Sequence, residues 1–121
     1  MPTHEEGLTS ELSISIYYSA TRALPLATAE RDAIARLVAT KGSEGDEPFS
    51  VYDADSLEPG EIFAGATKLP RDGAAAWDAI QRWCALLTEI RRLLPDTDWS
   101  VSVDDHEIVW EPDRGNFNPN L

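Results

Sequence analysis

The chain has 121 residues, 22 Asp and Glu against 10 Lys and Arg, two histidines and one cysteine. That length suits one α+β domain over 1–121, because two halves of about 60 residues are marginal without disulfides or metals. A net charge of −12 argues against nucleic acid or an anionic membrane as partner, since both are held by neutralising phosphate with basic groups.

Lone Cys84 leaves no intramolecular disulfide to form. No apolar run approaches the roughly 18 residues that span a bilayer. The first residues are acidic where a signal peptide needs a basic region. A cytoplasmic location is the expectation.

Residues 1–10, with His4, read as a flexible lead. Over 12–19 the chain alternates, with Leu12, Ile14, Ile16 and Tyr18 on one side and Ser13, Ser15, Tyr17 and Ser19 on the other, the pattern of a strand buried on one face. Thr28 is placed to cap a helix in which Ala33, Ile34, Leu37 and Val38 recur at helical spacing, and Gly42 to end it in a left-handed conformation. An acidic loop over 43–48 leads to a short second strand at 49–52. A third follows at 61–69, where Gly65 signals a bulge or a close backbone approach.

After Pro70, Asp72 caps the longest element, a helix from Gly73 to about Leu94. At 100° per residue its apolar side chains fill an arc of roughly 200°, from Trp77 through Ile80, Trp83, Cys84, Leu87 and Ile90 to Leu86 and Leu93. Residues 99–103 alternate again, Asp104 and Asp105 turn the chain, and 107–110 completes a second hairpin. Residues 112–121, rich in Asn, Pro and Gly, read as a loosely held tail.

The order β-α-β-β-α-β with one extra C-terminal hairpin strand matches the ferredoxin-like, split β-α-β plan, with two helices on one face of an antiparallel sheet. Leu12, Ile14, Ile16, Ile80, Trp83, Leu87 and Ile90 are the expected core, and Ser13, Ser15, Ser100 and Ser102 the open sheet face.

No motif carries chemistry, and no catalytic residue is assigned. His106, beside Asp104 and Asp105, is the residue type suited to acid–base work, but a hairpin turn with solvated side chains is the preferred reading. Ser100 and Ser102 alternate as a sheet face does, without a nucleophile elbow, and Cys84 sits in the apolar arc. Asp53, Asp55 and Glu58 cluster as oxygen ligands would but lack calcium-loop spacing, so no metal is expected, and the glycines lack any nucleotide-binding pattern, so no cofactor is.

The acids are the more informative feature. Seven lie between Lys41 and Lys68 and seven between Arg92 and Arg114, with no lysine or arginine in either stretch. Segregated charge attracts a cationic partner. A non-enzymatic protein-binding domain is therefore expected, with a basic protein as partner and Glu44, Asp46, Glu47, Asp104, Asp105, Glu107 and Trp110 as the contact residues. The rival expectations are a small hydrolase using His106 with a neighbouring carboxylate and a homo-oligomeric scaffold. A homodimer is expected through part of the wide helical arc or through the open sheet face.

Overall fold

The computed structural model describes residues 14–42, 49–104 and 106–119. Of the acids expected at the contact surface, Glu44, Asp46, Glu47 and Asp105 therefore lie outside the described residues, as does Leu12 of the expected core.

Strand β1, Ser15–Thr21, buries Ile16, Tyr18 and Ala20 and turns Tyr17 to solvent, as its alternation requires. It begins later than expected, so Ile14 precedes it. That side chain is 36% exposed and is not core; its carbonyl accepts the Leu69 amide at 2.8 Å instead.

The turn out of β1 is held by Arg22. Its guanidinium grips both carboxylate oxygens of Glu30 at 2.7 and 3.1 Å and donates to the carbonyls of Leu24 and Pro25. Glu30 also accepts the Ala27 amide at 2.9 Å. Thr28 is accordingly the first residue of helix α1, Thr28–Lys41, rather than its cap, because an ion pair organises this entry. Gly42 ends the helix with φ −78, not in the left-handed region, and donates its amide to the Val38 carbonyl at 2.7 Å.

Strand β2, Glu61–Lys68, pairs antiparallel with β1, and helix α2, Gly73–Leu93, follows with the Asp72 carboxylate accepting the Ala75 amide at 2.9 Å. Strand β3, Asp98–Val103, pairs with the other edge of β1 and with β4, His106–Glu107. The result is an α+β fold with two helices and a four-stranded antiparallel sheet ordered β2-β1-β3-β4. At Ile108, buried and bonded through its amide to the Val101 carbonyl, the chain leaves this sheet. The single strand expected over 107–110 is therefore divided, and Val109–Glu111 (β5) pairs with Asn116–Asn118 (β6) in a separate hairpin.

Residues 49–52 were the expected second strand, and the structure gives them only one ladder-like bond, from the Tyr52 amide to the Ala64 carbonyl at 2.8 Å. Side chains claim the backbone of Ser50 instead. The Tyr18 hydroxyl donates to its carbonyl, and Thr67 Oγ1, itself 2.7 Å from the Tyr18 hydroxyl, accepts its amide at 3.0 Å. Ser50 thereby presses on Gly65, where an added Cβ would strike the Ser50 carbonyl and the Tyr18 ring. The close backbone approach is the reason for a glycine in this strand. Phe49 enters the core, stacked on Tyr18 at 4.6 Å between ring centroids and 5.3 Å from Trp83. Burial holds the Tyr18 phenol well above its ordinary pKa, against the pull of both hydrogen bonds.

The wide arc of α2 is covered from three directions. Ile80, Trp83, Leu87, Ile90 and Leu94 join the core formed with β1 and β3. On one flank Leu93 shares a groove with Ala33 and Leu37 of α1, where Lys41 and Glu89 pair at 2.6 Å. On the other flank lies β6, whose Phe117 is buried and donates its amide to Thr88 Oγ1 at 3.2 Å. The segment 112–121, expected to be loosely held, thus supplies a core residue. Its polar composition conceals the apolar Phe117 side chain that docks. Leu86, on the arc edge that pointed to a homodimer, is 2% exposed and already covered within the chain.

Leu87 is fully buried, so Leu87→Ala should cost about 2–5 kcal/mol in chemical denaturation, and Phe117→Ala about 3–5 kcal/mol. A loss below about 0.5 kcal/mol for Phe117→Ala would detach the hairpin from the core. Arg22 holds the Glu30 carboxyl down to about 2, against about 4.3 in an unfolded chain. The pair's stabilisation is then complete above the unfolded value and is lost as pH falls toward 2. A carbon-detected titration should place the Glu30 midpoint near that value and return it to the ordinary range in Arg22→Gln.

Candidate functional site

Register decides which side chains share the outer sheet face, the one turned away from the core. Tyr17 lies between Ala66 and Ser102, Ser19 between Ala64 and Ser100, and Thr21 between Glu61 and Asp98. Glu107 stands opposite Ser102 and so extends the same face onto β4. Paired residues point to one side of a sheet, with Cβ atoms about 5 Å apart. The face therefore has a serine and tyrosine centre with Glu61, Asp98 and Glu107 around it.

The segment after Tyr52 forms the wall of this face. A short 3-10 turn at Ala54–Ser56 is closed by the Ser56 amide on the Asp53 carbonyl at 2.9 Å. The Glu58 amide then donates to Glu61 Oε1 at 2.8 Å, which orients that carboxylate. Together these residues enclose a groove of about 270 Å³ lined by Tyr17, Ser19, Tyr52, Glu58, Glu61 and Ser100. Tyr17 and Tyr52 are each 46% exposed.

Charge divides between the two sides of the molecule. The helices carry six of the ten basic residues, Arg31, Arg36, Lys41, Arg82, Arg91 and Arg92. On the outer sheet face Lys68, opposite Ser15, is the basic residue that the register places there. Among the described residues Glu58, Glu61, Asp98 and Glu107 enter no ion pair; the pairs formed are Arg22 with Glu30, Lys41 with Glu89 and Arg114 with Glu111. Two carboxylates, Glu58 and Glu61, in a groove with two exposed phenol rings can bind a cationic side chain by charge and by contact with the ring faces.

The residues singled out from sequence distribute unevenly around this surface. Glu107 belongs to it. Asp104 lies exposed at the β3–β4 turn with φ 51, a left-handed conformation that a short carboxylate side chain tolerates. Trp110 does not reach out to a partner. Its ring packs edge-on to Phe117 at 5.1 Å and lies under the Arg91 guanidinium at 4.0 Å, so the hairpin uses it to dock on α2. Trp99 is likewise turned inward, 5.6 Å from Phe63 and 5.9 Å from Phe117.

His106 is exposed and sits opposite Val103, whereas Glu107 sits opposite Ser102. Neighbouring residues of a strand point to opposite faces. The His106 side chain therefore leaves the sheet on the side away from Ser100 and Ser102, and strand geometry keeps it from serving either hydroxyl as a base. Cys84 is buried, and burial pushes its thiol up to about 12, the reverse of what a nucleophile needs. Asp53, Asp55 and Glu58 are all exposed, and among the described residues no group of three His, Cys, Asp or Glu side chains converges as metal ligands.

Ser19, Glu61 and Asp98 were not among the expected contact residues. The alternation that places Ser100 and Ser102 outward holds equally for Tyr17, Ser19 and Asp98, so the signal for those three lay in the strand parity. Nothing comparable marks Tyr52, which reaches the groove only because Ser50 is bound across the edge of β2.

No protein-family model matches the chain, and no curated protein or solved structure shows significant similarity to it. The functional reading therefore rests on the chemistry of the surface itself. No helix among the described residues is long and apolar enough to cross a membrane.

The buried thiol makes its own test. Native protein at pH 8 should leave Cys84 unalkylated by iodoacetamide over a period that fully labels the denatured chain. Equal labelling of the two would place the thiol at the surface.

Proposed function

We propose that this chain is a non-enzymatic, cytoplasmic, acidic domain that binds a basic protein through the outer face of its sheet. Its most concrete form is an inhibitor or neutralising partner of the immunity type, covering a cationic surface such as the groove of a nuclease-like toxin. The observation that carries the reading is a groove lined by Glu58 and Glu61 with exposed Tyr17 and Tyr52, on a sheet face to which register also brings Asp98 and Glu107; none of the four acids enters an ion pair among the described residues. Like charges held together on one face repel one another, and a cationic partner relieves that repulsion. Tyrosines contribute rigid contact area at little entropic cost, which is why they recur at interface centres.

We read the fold as ferredoxin-like. Four features support it: the order β2-β1-β3-β4, a helix between β1 and β2, another between β2 and β3, and residues 49–52 beside the free edge of β2. Such a plan leaves one sheet face free of helices and available to a partner. Of the arc edges that pointed to a homodimer, Leu86 is covered within the chain and Trp77 stays 40% exposed.

The test compares the wild-type chain with a Tyr17→Ala, Glu61→Gln, Glu107→Gln variant as bait in extracts of the source cell. A basic protein held by the wild type and released by the variant is the expected result. The same protein held equally by both would remove the outer face as the binding surface. With the purified pair, raising salt from low concentration to about 0.5 M should slow association about 10-fold or more and change dissociation far less. An association rate indifferent to salt would end the electrostatic account.

A further inference from the structure

A second surface, on the opposite side of β2, has the reverse character. Between α1 and the edge of β2 lies a groove of about 380 Å³, inside the range of about 300–1,000 Å³ typical of small-molecule sites. Its apolar walls are Leu26, Ile34, Val38, Val51, Ile62 and Phe63. Consecutive residues of a regular strand cannot both face one helix. Here they do, because the β1–β2 register slips between Ala20 and Thr21 and leaves Ile62 as an extra, bulged residue beside Phe63.

One charged side chain lines the groove, and it is Arg31. Among the described residues no carboxylate lines it. Arg31 enters no ion pair among the described residues, while neighbouring Glu30 is already neutralised by Arg22. Arg31 stands near the start of α1, next to Glu30, whose carboxylate is taken up by Arg22 and the Ala27 amide. An apolar trough ending in a free guanidinium complements a molecule with a hydrocarbon body and an anionic head. Neither a neutral hydrocarbon nor a cation would use Arg31.

We propose that the groove between α1 and β2 binds a small amphipathic carboxylate, with its alkyl body against Ile34, Val38, Ile62 and Phe63 and its carboxylate on Arg31. The site is separate from the outer face, and it stands whether or not that face binds a protein.

The probe is octanoate, followed by amide-resolved NMR of the full chain, with 1-octanol as the uncharged control. Saturable shifts confined to the groove residues are expected, with octanoate at least about 10-fold tighter than octanol, the ratio a charge-assisted hydrogen bond provides. Arg31→Gln should lower octanoate affinity to that of octanol and leave octanol unchanged. Ala39→Trp, which fills the mouth of the groove, should abolish both, with far-UV circular dichroism confirming that each variant folds. The proposal is overturned by the absence of saturable shifts at millimolar octanoate, by equal affinity for the two probes, or by an Arg31→Gln variant that binds octanoate as the wild type does. Groove signals that move with protein concentration alone would assign the surface to a second copy of the chain, and would overturn it too.

Discussion

A helix that is apolar over more than half of its circumference cannot be satisfied by one sheet, and most of this fold follows from that constraint on α2. The sheet takes the central stripe of Ile80, Trp83, Leu87 and Ile90. Helix α1 covers the flank of Leu93, and the β5–β6 hairpin covers the flank of Cys84 and Thr88. Each cover is secured by a polar bond at its rim: Lys41 to Glu89 on one side, the Phe117 amide to Thr88 and Arg92 to the Gly115 carbonyl on the other. Thr88 has a further role, since its hydroxyl donates to the Cys84 carbonyl at 2.8 Å while accepting from Phe117. A polar residue inside an apolar arc is here the anchor of the third layer. Arg91 also belongs to this docking, with its guanidinium over Trp110 and its stem against the helix.

A second constraint shapes the surface. Tyr18 is buried, and a buried hydroxyl without a partner is costly. It is satisfied by Thr67 and by the Ser50 carbonyl, which draws the incoming chain across Gly65 and away from ladder pairing. Tyr52 and the turn after it are thereby set as a wall beside the outer sheet face. A core hydrogen bond on one side of β2 thus helps to form the groove that opens on the other side.

Charge then separates by face. Basic residues concentrate on the helices, where Arg91 and Arg92 also suit the negative end of α2. Carboxylates collect on the outer sheet face, where strand parity brings Glu61, Asp98 and Glu107 to one side. The two grooves beside β2 consequently differ in kind. One is acidic and aromatic, and the other is apolar with a single cation among the described residues that line it.

The amino-acid sequence by itself determined the features governed by local periodicity and local hydrogen bonding. Alternation in 12–19 and 99–103 set which faces of β1 and β3 are buried. The Asp72 cap and the repeat of apolar residues placed α2 to within a residue, because both depend on neighbours along the chain. Asp104 marked the β3–β4 turn for the same reason. What only the tertiary structure decided was how distant segments compete for one partner. Residues 49–52 look like a strand, but Tyr18 and Thr67 hold the backbone of Ser50. The 112–121 segment looks unattached, but its Phe117 fills a flank of α2 that no local pattern assigns to it. Trp110 looks like a surface anchor until Phe117 and Arg91 enclose it. His106 and Ser102 are near in sequence, yet pairing on β3 and β4 turns them to opposite faces. In each case the deciding energy comes from contacts between residues far apart in the chain, which periodicity along the sequence does not encode.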